Sequence, residues 1–241
     1  MKNIFPGFII ITILLTFSVT EYINSQTSET EKKGTRTIYL IRHGHYDEAD
    51  ELDEYTGKEL TPLGISQARL VATRLKSMSV IFNSLTSSTM TRAIQTAQII
   101  NQEFPELELK KNSLLSECTP PTWRKDVMAK TDSAEISGCV GNLENAFQEY
   151  FIPSPDENDR NDIIVCHGNV IRYFVTKVLK VDPLSWLQMS ITNCSLTIIR
   201  ISANGSMKLD TFSDYGHIPE NMRTFTGGKN DNKALVIPKK P

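Results

Sequence analysis

Short, unbroken apolar runs recur along the chain and predict the strands of a buried sheet. Residues 37–41 (T-I-Y-L-I) and 163–166 (I-I-V-C) are the clearest, and such runs are typical of strands covered on both faces. Residues 80–85 and a short piece of 107–115 are further strand candidates. A pair of runs near the C-terminus predicts an antiparallel hairpin at the edge of the sheet, because Asn-Gly separates residues 195–201 from residues 207–212.

Apolar residues at helical spacing lie between these strands. Thr61 and Pro62 predict a helix start, with a hydroxyl N-cap and a proline at the first helical position, and the helix runs to about Ser77. Further helices are predicted after the serines and threonines of 86–91, over 132–151 and over 170–180, with a helical turn around Trp186. The alternation predicts an α/β fold, a three-layer α/β/α sandwich with a mostly parallel central sheet and an antiparallel edge strand.

Two predicted strands end in the same kind of motif. The first leads into Arg42-His43-Gly44 and a later one into His167-Gly168. Open α/β sheets bind ligands at the carboxyl ends of their strands. A single Arg-His-Gly tripeptide occurs often by chance, and a lone His167 would be interpreted as a hydrogen-bonded core histidine. Two such units in one chain favour a functional site.

Two further charged residues are predicted to lie near the same ends of the strands as the histidines. Arg92 falls in the first turn of a helix, where a cation opposes the helix dipole, so it is either a tolerated surface arginine or a residue that faces a bound anion. Glu117 comes just after a strand and just before the Pro120-Pro121 turn. On a parallel sheet these side chains and the two motifs can converge at one edge. Two cations with two imidazoles suit a phosphate dianion.

Composition excludes several other classes of function. The chain has 241 residues and a net charge of −2, and no stripe of Lys and Arg recurs on a helix face, which argues against a nucleic-acid binder. The four cysteines show neither a CxxC pair nor histidines at zinc-finger spacing, and Cys166 is interpreted as a small buried thiol. The acidic residues of 47–54 predict a solvated loop, since the EF-hand glycine and closing glutamate are missing. No Walker-type glycine loop is present.

The two ends of the chain differ from its centre. Residues 1–24 contain a mostly apolar stretch that is long for a signal-peptide core and short for a membrane span. An uncleaved N-terminal membrane anchor and a secretory signal therefore both stay open, and a poor cleavage pattern slightly favours the anchor. Residues 25–35 are interpreted as a polar tether and residues 36–225 as the folded domain. Residues 226–241 are a polar tail, which we expect to be poorly ordered.

The motifs occur in the order found in one known family. Arg42-His43-Gly44, the block Arg92-Ala-Ile-Gln-Thr-Ala97, Glu117 and Cys166-His167-Gly168 resemble the histidine phosphatase (phosphoglycerate mutase-like) superfamily over roughly residues 36–225. The resemblance implies a phosphatase that uses no metal and no cofactor. It makes His43 the nucleophile that forms a phosphohistidine and Glu117 the general acid. It assigns the phosphoryl oxygens to Arg42, Arg92 and His167, with Gly44 in the phosphate-binding loop.

A closer resemblance involves His43-Gly-His-Tyr46, Leu60-Thr-Pro-Leu-Gly64 and Val165-Cys-His-Gly-Asn-Val-Ile-Arg-Tyr-Phe174. These blocks resemble the mitochondrial serine/threonine protein phosphatases of the phosphoglycerate mutase family. That resemblance implies phosphoprotein substrates, a mitochondrial membrane location through the N-terminal segment, and association of copies such as a homodimer.

Two departures from the family narrow the prediction. The Glu-x-x-x-Asn pattern that follows Arg-His-Gly in sugar-phosphate members is absent, which argues against a glycolytic mutase and a fructose bisphosphatase. The Trp-Asp repeat through which mitochondrial members assemble is also missing, which argues against activation by assembly. Two alternatives stay open. One is a small-molecule or acid phosphatase of the same fold, in the secretory pathway or secreted. The other is a membrane-tethered, non-catalytic adaptor, which the complete set of site residues disfavours.

Overall fold

A computed structural model describes residues 34–48 and 58–225 of the chain. The predicted anchor or signal segment, most of the polar tether and the C-terminal tail lie outside these residues, as do residues 49–57 of the acidic stretch. Within the described ranges, no helix is both long enough and apolar enough to cross a membrane.

The described residues form one six-stranded mixed sheet. In chain order the strands are β1 (Arg36–Arg42), β2 (Ser84–Ser87), β3 (Leu109–Lys111), β4 (Arg160–Cys166), β5 (Leu196–Ile201) and β6 (Met207–Asp214). From one edge of the sheet to the other, they lie in the order β3-β2-β4-β1-β5-β6. The first four in this order pair in parallel, and β5 is antiparallel to both β1 and β6. The sheet therefore confirms the predicted parallel centre with an antiparallel hairpin at one edge.

Helices cover both faces of the sheet because both faces of its central strands are apolar. The helices are α1 (Pro62–Lys76), α2 (Thr91–Asn101), α3 (Lys125–Met128), α4 (Ser133–Tyr150) and α5 (Gly168–Leu179). On β1, Ile38 and Leu40 are fully buried in a core with α4 and α5, whereas Tyr39 and Ile41 enter a second core with α1 and α2. Each of the buried aliphatic side chains contributes about 1.5–3 kcal/mol on burial. The predicted three-layer sandwich is confirmed.

Side-chain caps fix two helix starts where the sequence predicts them. Thr61 Oγ1 accepts the N–H of Gly64 at 3.1 Å, and Pro62 opens α1. Asp132 Oδ1 accepts the N–H of Ala134 at 2.7 Å at the start of α4. These local hydrogen bonds satisfy N–H groups that have no partner inside the helix.

The strand predicted over 80–85 is wrong in its position. β2 begins at Ser84, where the parallel register with β4 starts, and Ile81 in the preceding connection is 84% exposed. Ser84 Oγ donates to the buried carboxylate of Asp162 at 2.6 Å, and Arg36 donates to the same carboxylate at 2.7 Å. A buried polar network therefore fixes this end of the strand, and an apolar pattern cannot predict it.

The parallel register brings the two histidine motifs together. Arg42 at the end of β1 pairs with Cys166 at the end of β4, so His43 and His167 follow at the same edge. β2 lies on the other side of β4 and delivers Ser88 there too. The ligand-binding edge of the sheet is thus built from three neighbouring strand ends.

Candidate active site

His43 and His167 lie side by side at the buried end of the sheet. They are 1% and 0% exposed, and their ring centroids are 5.0 Å apart. His43 Nδ1 lies 2.8 Å from the carbonyl oxygen of Gly44. Because a carbonyl oxygen only accepts hydrogen bonds, Nδ1 carries the proton in this contact. Nε2 of His43 then holds a lone pair, which is the form that a nucleophile needs.

His167 uses one of its two ring nitrogens in a hydrogen bond. Its Nε2 lies 2.8 Å from Ser88 Oγ, which also accepts the N–H of Met90 at 3.2 Å. Its Nδ1 is buried and has no hydrogen-bond partner among the described residues. Buried polar atoms without a partner are uncommon in native proteins, and each calls for an explanation such as a ligand.

Burial and neighbouring cations keep both imidazoles neutral. Burial is the largest cause, and it lowers the pKa of His43 and of His167 well below the ordinary 6.5. The guanidinium groups of Arg42 and Arg92 lower each pKa further, because a second positive charge beside them is unfavourable. At neutral pH the two rings are therefore uncharged.

The two predicted arginines are both buried at this edge. Arg42 is 6% exposed and donates from Nη1 to Ile191 O at 2.8 Å, and Arg92 is 2% exposed with its guanidinium 4.7 Å from the centre of the Tyr46 ring. The surface interpretation of Arg92 is therefore wrong. Both arginines line, with His43, a pocket of about 400 Å³. Buried guanidinium groups beside neutral imidazoles give a cavity that suits a dianionic phosphate.

Gly44 permits a close approach between the end of β1 and the start of α1. Its N–H donates to Thr96 Oγ1 at 3.0 Å, and a Cβ at this position would lie 2.6 Å from the carbonyl oxygen of Gly64. Any larger residue would push the two segments apart. The implied role of Gly44 in phosphate binding stays a prediction.

Glu117 lines the same pocket as the arginines and His43. Its Oε1 accepts the N–H of Asn169, at the N-terminus of α5, at 3.2 Å. Burial raises the pKa of this carboxyl, and the nearby arginines only partly oppose the rise. A raised pKa keeps a carboxyl protonated at higher pH, which suits a proton donor.

Three contacts hold the loop that carries Glu117. A disulfide joins Cys118 to Cys139 on α4, Asn169 Nδ2 donates to Cys118 O at 2.8 Å, and Trp186 Nε1 donates to Pro121 O at 2.9 Å. No local pattern in the sequence predicted this disulfide. The loop is thus fastened to α4, to α5 and to the turn around Trp186, which limits how far the carboxyl can move.

Sequence reasoning also missed side chains that support His43. Asn193 is 3% exposed, and its Nδ2 donates to the carbonyl oxygen of His43 at 3.0 Å. The ring of Tyr46 lies edge-on to the His43 ring, with centroids 5.2 Å apart. Tyr46 and Asn169 follow the two histidine motifs closely in sequence, and this closeness could have predicted that they lie at the site. Asn193 gave no such signal, because it reaches the site from a distant loop.

The metal-independent mechanism stays a prediction. Within residues 34–48 and 58–225, no group of three or more His, Cys, Asp or Glu residues could hold a metal ion. Cys166 is a buried free thiol, as predicted.

Known proteins share both the sequence and the fold of this chain. The model of the histidine phosphatase superfamily (branch 1) matches residues 38–137 and 145–214. The mitochondrial serine/threonine-protein phosphatase Pgam5 of Caenorhabditis elegans is 40% identical over 210 residues, which cover 81% of this chain and 69% of that protein. The protein of the same name from Homo sapiens is 36% identical over 202 residues, with 83% and 69% covered.

Solved structures share the fold of this chain. A phosphoglycerate mutase from Plasmodium falciparum superimposes with a TM-score of 0.53 at 28% identity and covers 74% of this chain and 91% of its own. YhfR from Bacillus stearothermophilus gives a TM-score of 0.62 at 19% identity, with 76% and 100% covered, and supports the fold alone. Together with the family match over most of the sheet and its helices, these findings show that the chain belongs to the histidine phosphatase superfamily.

Proposed function

We propose that this protein hydrolyses phosphoserine and phosphothreonine in proteins, without a metal ion, through a phosphohistidine on His43. The observation that carries the proposal is the buried His43 ring, whose Nδ1 is bonded to Gly44 O so that Nε2 holds the lone pair. Its relatives in C. elegans and H. sapiens are named serine/threonine-protein phosphatases, which supports the substrate class.

In the first step, the Nε2 lone pair of His43 attacks phosphorus and the bond from phosphorus to the serine or threonine oxygen breaks. Glu117 gives its proton to the departing oxygen, so the product leaves as an alcohol. In the second step a water molecule attacks the phosphohistidine and gives a proton to the Glu117 carboxylate. The N–P bond breaks, inorganic phosphate leaves, and both side chains return to their starting states.

The phosphoryl oxygens are held by Arg42, Arg92 and His167 in this proposal. If Ser88 donates its proton to His167 Nε2, the free Nδ1 carries a hydrogen and can donate to a phosphoryl oxygen. Fixed donors at this position stabilise the charge of the transition state without reorganisation.

The test compares wild type with His43→Ala on a phosphoserine peptide. We expect the wild type to release inorganic phosphate from the peptide and to carry an acid-labile phosphate on the chain. His43→Ala should do neither, and its melting curve should match that of the wild type. His167→Ala should be severely impaired yet still form the acid-labile species slowly. Near-normal turnover by His43→Ala would contradict the proposed nucleophile.

We also propose that residues 1–24 attach the protein to a mitochondrial membrane. Its relatives are named mitochondrial, and the disulfide between Cys118 and Cys139 suggests a domain that faces an oxidising compartment. Removal of residues 1–25 should give a soluble and active domain. Fractionation separates this location from the secretory alternative, and recovery of the protein with secretory membranes would contradict the proposal. Protease protection then shows which side of the membrane the domain faces, and exposure to the cytosol would argue against the disulfide. The self-association of the full chain stays a prediction, to be tested by its mass in solution.

A further inference from the structure

A second groove adjoins the pocket of the candidate active site, and the two cavities share part of their walls. This groove has a volume of about 430 Å³, and it shares Met90, Glu117, Cys118 and Glu135 with the first pocket. We call it the α4 groove, because one wall is formed by Glu135, Gly138, Cys139 and Asn142. These positions are spaced i, i+3, i+4 and i+7 and therefore lie on one face of α4. The groove starts at the proposed general acid and runs along the helix.

The size of the α4 groove fits a short piece of extended chain. The eight residues of helix from Glu135 to Asn142 are seven steps of about 1.5 Å apart, and they therefore span about 10 Å. That length matches about three residues of an extended peptide at roughly 3.3 Å each. In the proposed complex, the phosphorylated side chain lies in the first pocket. The α4 groove is then open to the peptide segment that carries this side chain.

The charges at the mouth of the two cavities have one sign. Of the described residues that line them, Arg42 and Arg92 are buried, whereas the exposed charged residues are Glu48 and Glu135. A bound phosphate neutralises the two arginines. The remaining field at the rim is negative and favours a positive neighbour of the phosphorylated residue.

We infer that the α4 groove binds the peptide segment next to the phosphorylated residue, with a Lys or Arg of that segment opposite Glu135. This inference rests on the proposed function and names its preferred substrate: phosphoproteins with basic residues on one side of the phosphoserine or phosphothreonine. The floor at Gly138 is open, because no atom lies within 4 Å of a Cβ built there.

Gly138 and Gly141 provide a matched pair of variants for a steric test. Both are exposed glycines inside α4, and neither position has an atom within 4 Å of an added Cβ. Gly138→Leu places a side chain in the groove, whereas Gly141→Leu places the same side chain outside both pockets. Both variants replace a glycine of α4 by leucine, which has the higher helix propensity. An effect on the stability of the helix would therefore be the same in both variants. The readout is the ratio of kcat/KM for a basic phosphoserine heptapeptide to that for p-nitrophenyl phosphate.

We expect Gly138→Leu to lower this ratio about tenfold or more and Gly141→Leu to leave it at the wild-type value. Peptides shortened from each end in turn should lose kcat/KM strongly on one side of the phosphoserine only. In Gly138→Leu the long and short peptides should become equivalent. An equal ratio in both glycine variants, or no dependence on peptide length, would overturn the inference.

The charge test exchanges flanking lysines of the peptide for glutamates. Wild type should prefer the lysine peptide, and Glu135→Gln should reduce that preference about two- to fivefold, the range expected for one exposed ion pair. Glu106→Gln is the control. Glu106 is an exposed glutamate in the loop between α2 and β3, and this loop lies at the amino end of β3, whereas the site lies at the carboxyl ends of the strands. The preference should also weaken as salt is added.

The outcomes separate the inference from the proposed function. If wild type cleaves phosphopeptides with no preference for lysine and no effect of Glu135→Gln, the groove assignment fails and the phosphatase proposal stands. If wild type cleaves p-nitrophenyl phosphate but none of the phosphopeptides, both are overturned.

Discussion

Replacing Glu117 by Gln is the sharpest test of the mechanism. The amide keeps the size of the side chain and an oxygen that can accept the Asn169 N–H, which Glu117 Oε1 now accepts at 3.2 Å. It cannot protonate a leaving oxygen. Because the half-buried carboxyl has a raised pKa and the loop is held by the disulfide beside it, we expect Glu117→Gln to keep the fold and lose only the proton transfer.

The size of the loss depends on the leaving group. A serine or threonine alkoxide is a strong base and leaves only if it is protonated, whereas p-nitrophenolate is a much weaker base and leaves unaided. General acid catalysis typically contributes about 10²–10⁴-fold. At about 1.4 kcal/mol for each factor of ten, Glu117→Gln should raise the barrier for a phosphoserine peptide by about 3–5 kcal/mol. For p-nitrophenyl phosphate the phosphorylation step should change by about tenfold or less.

The assay is single-turnover formation of acid-labile phosphohistidine, which isolates this first step from the later attack of water. Glu106→Gln makes the same chemical change at an exposed position and should behave as wild type. The pH profile adds a second readout. Since the pKa of Glu117 is raised, wild-type kcat/KM on the peptide should fall as pH rises through that pKa, and the variant should lose this limb. Equal losses on both substrates would mean that Glu117 is a structural residue at a strand end.

Three further predictions concern metal dependence, pH and the disulfide. Prolonged treatment with EDTA should leave hydrolysis of p-nitrophenyl phosphate unchanged, and a loss restored by magnesium or zinc would refute the metal-independent mechanism. His43 and His167 have pKa values lowered by burial, so their contribution to stability is complete above pH 6.5 and is lost as pH falls toward those lower values. The loss is up to about 1.4 kcal/mol per pH unit for each histidine, partly offset by Glu117, whose raised pKa acts in the opposite sense. Urea midpoints at pH 7.5 and 5.5 check this, and an unchanged or higher midpoint at pH 5.5 would contradict it. Cys118→Ser with Cys139→Ser opens a link between residues 21 apart and should lower the free energy of unfolding by about 3 kcal/mol in oxidised protein; no difference from wild type would argue against the bond.

Elements with local sequence signals could be predicted without the structure. The apolar run before His43 identified a buried strand, because both faces of β1 are apolar and each face meets its own core. Thr61 and Asp132 cap the first turns of their own helices, so the starts of α1 and α4 were readable within a few residues. The motifs carrying His43 and His167 were also visible, since each directly follows its strand.

Contacts between residues that lie far apart in the sequence could not be predicted in this way. Four cysteines allow several pairings, and nothing in the sequence singled out the bond between Cys118 and Cys139. The position of β2 depends on the carboxylate of Asp162 on a neighbouring strand, so the apolar pattern at 80–85 was misleading. The neutral state of His43 arises mainly from burial, with a contribution from Arg92 on α2, and the N–H beside Glu117 comes from α5. These properties depend on long-range packing and on the low dielectric that it creates, which no local pattern of residues contains.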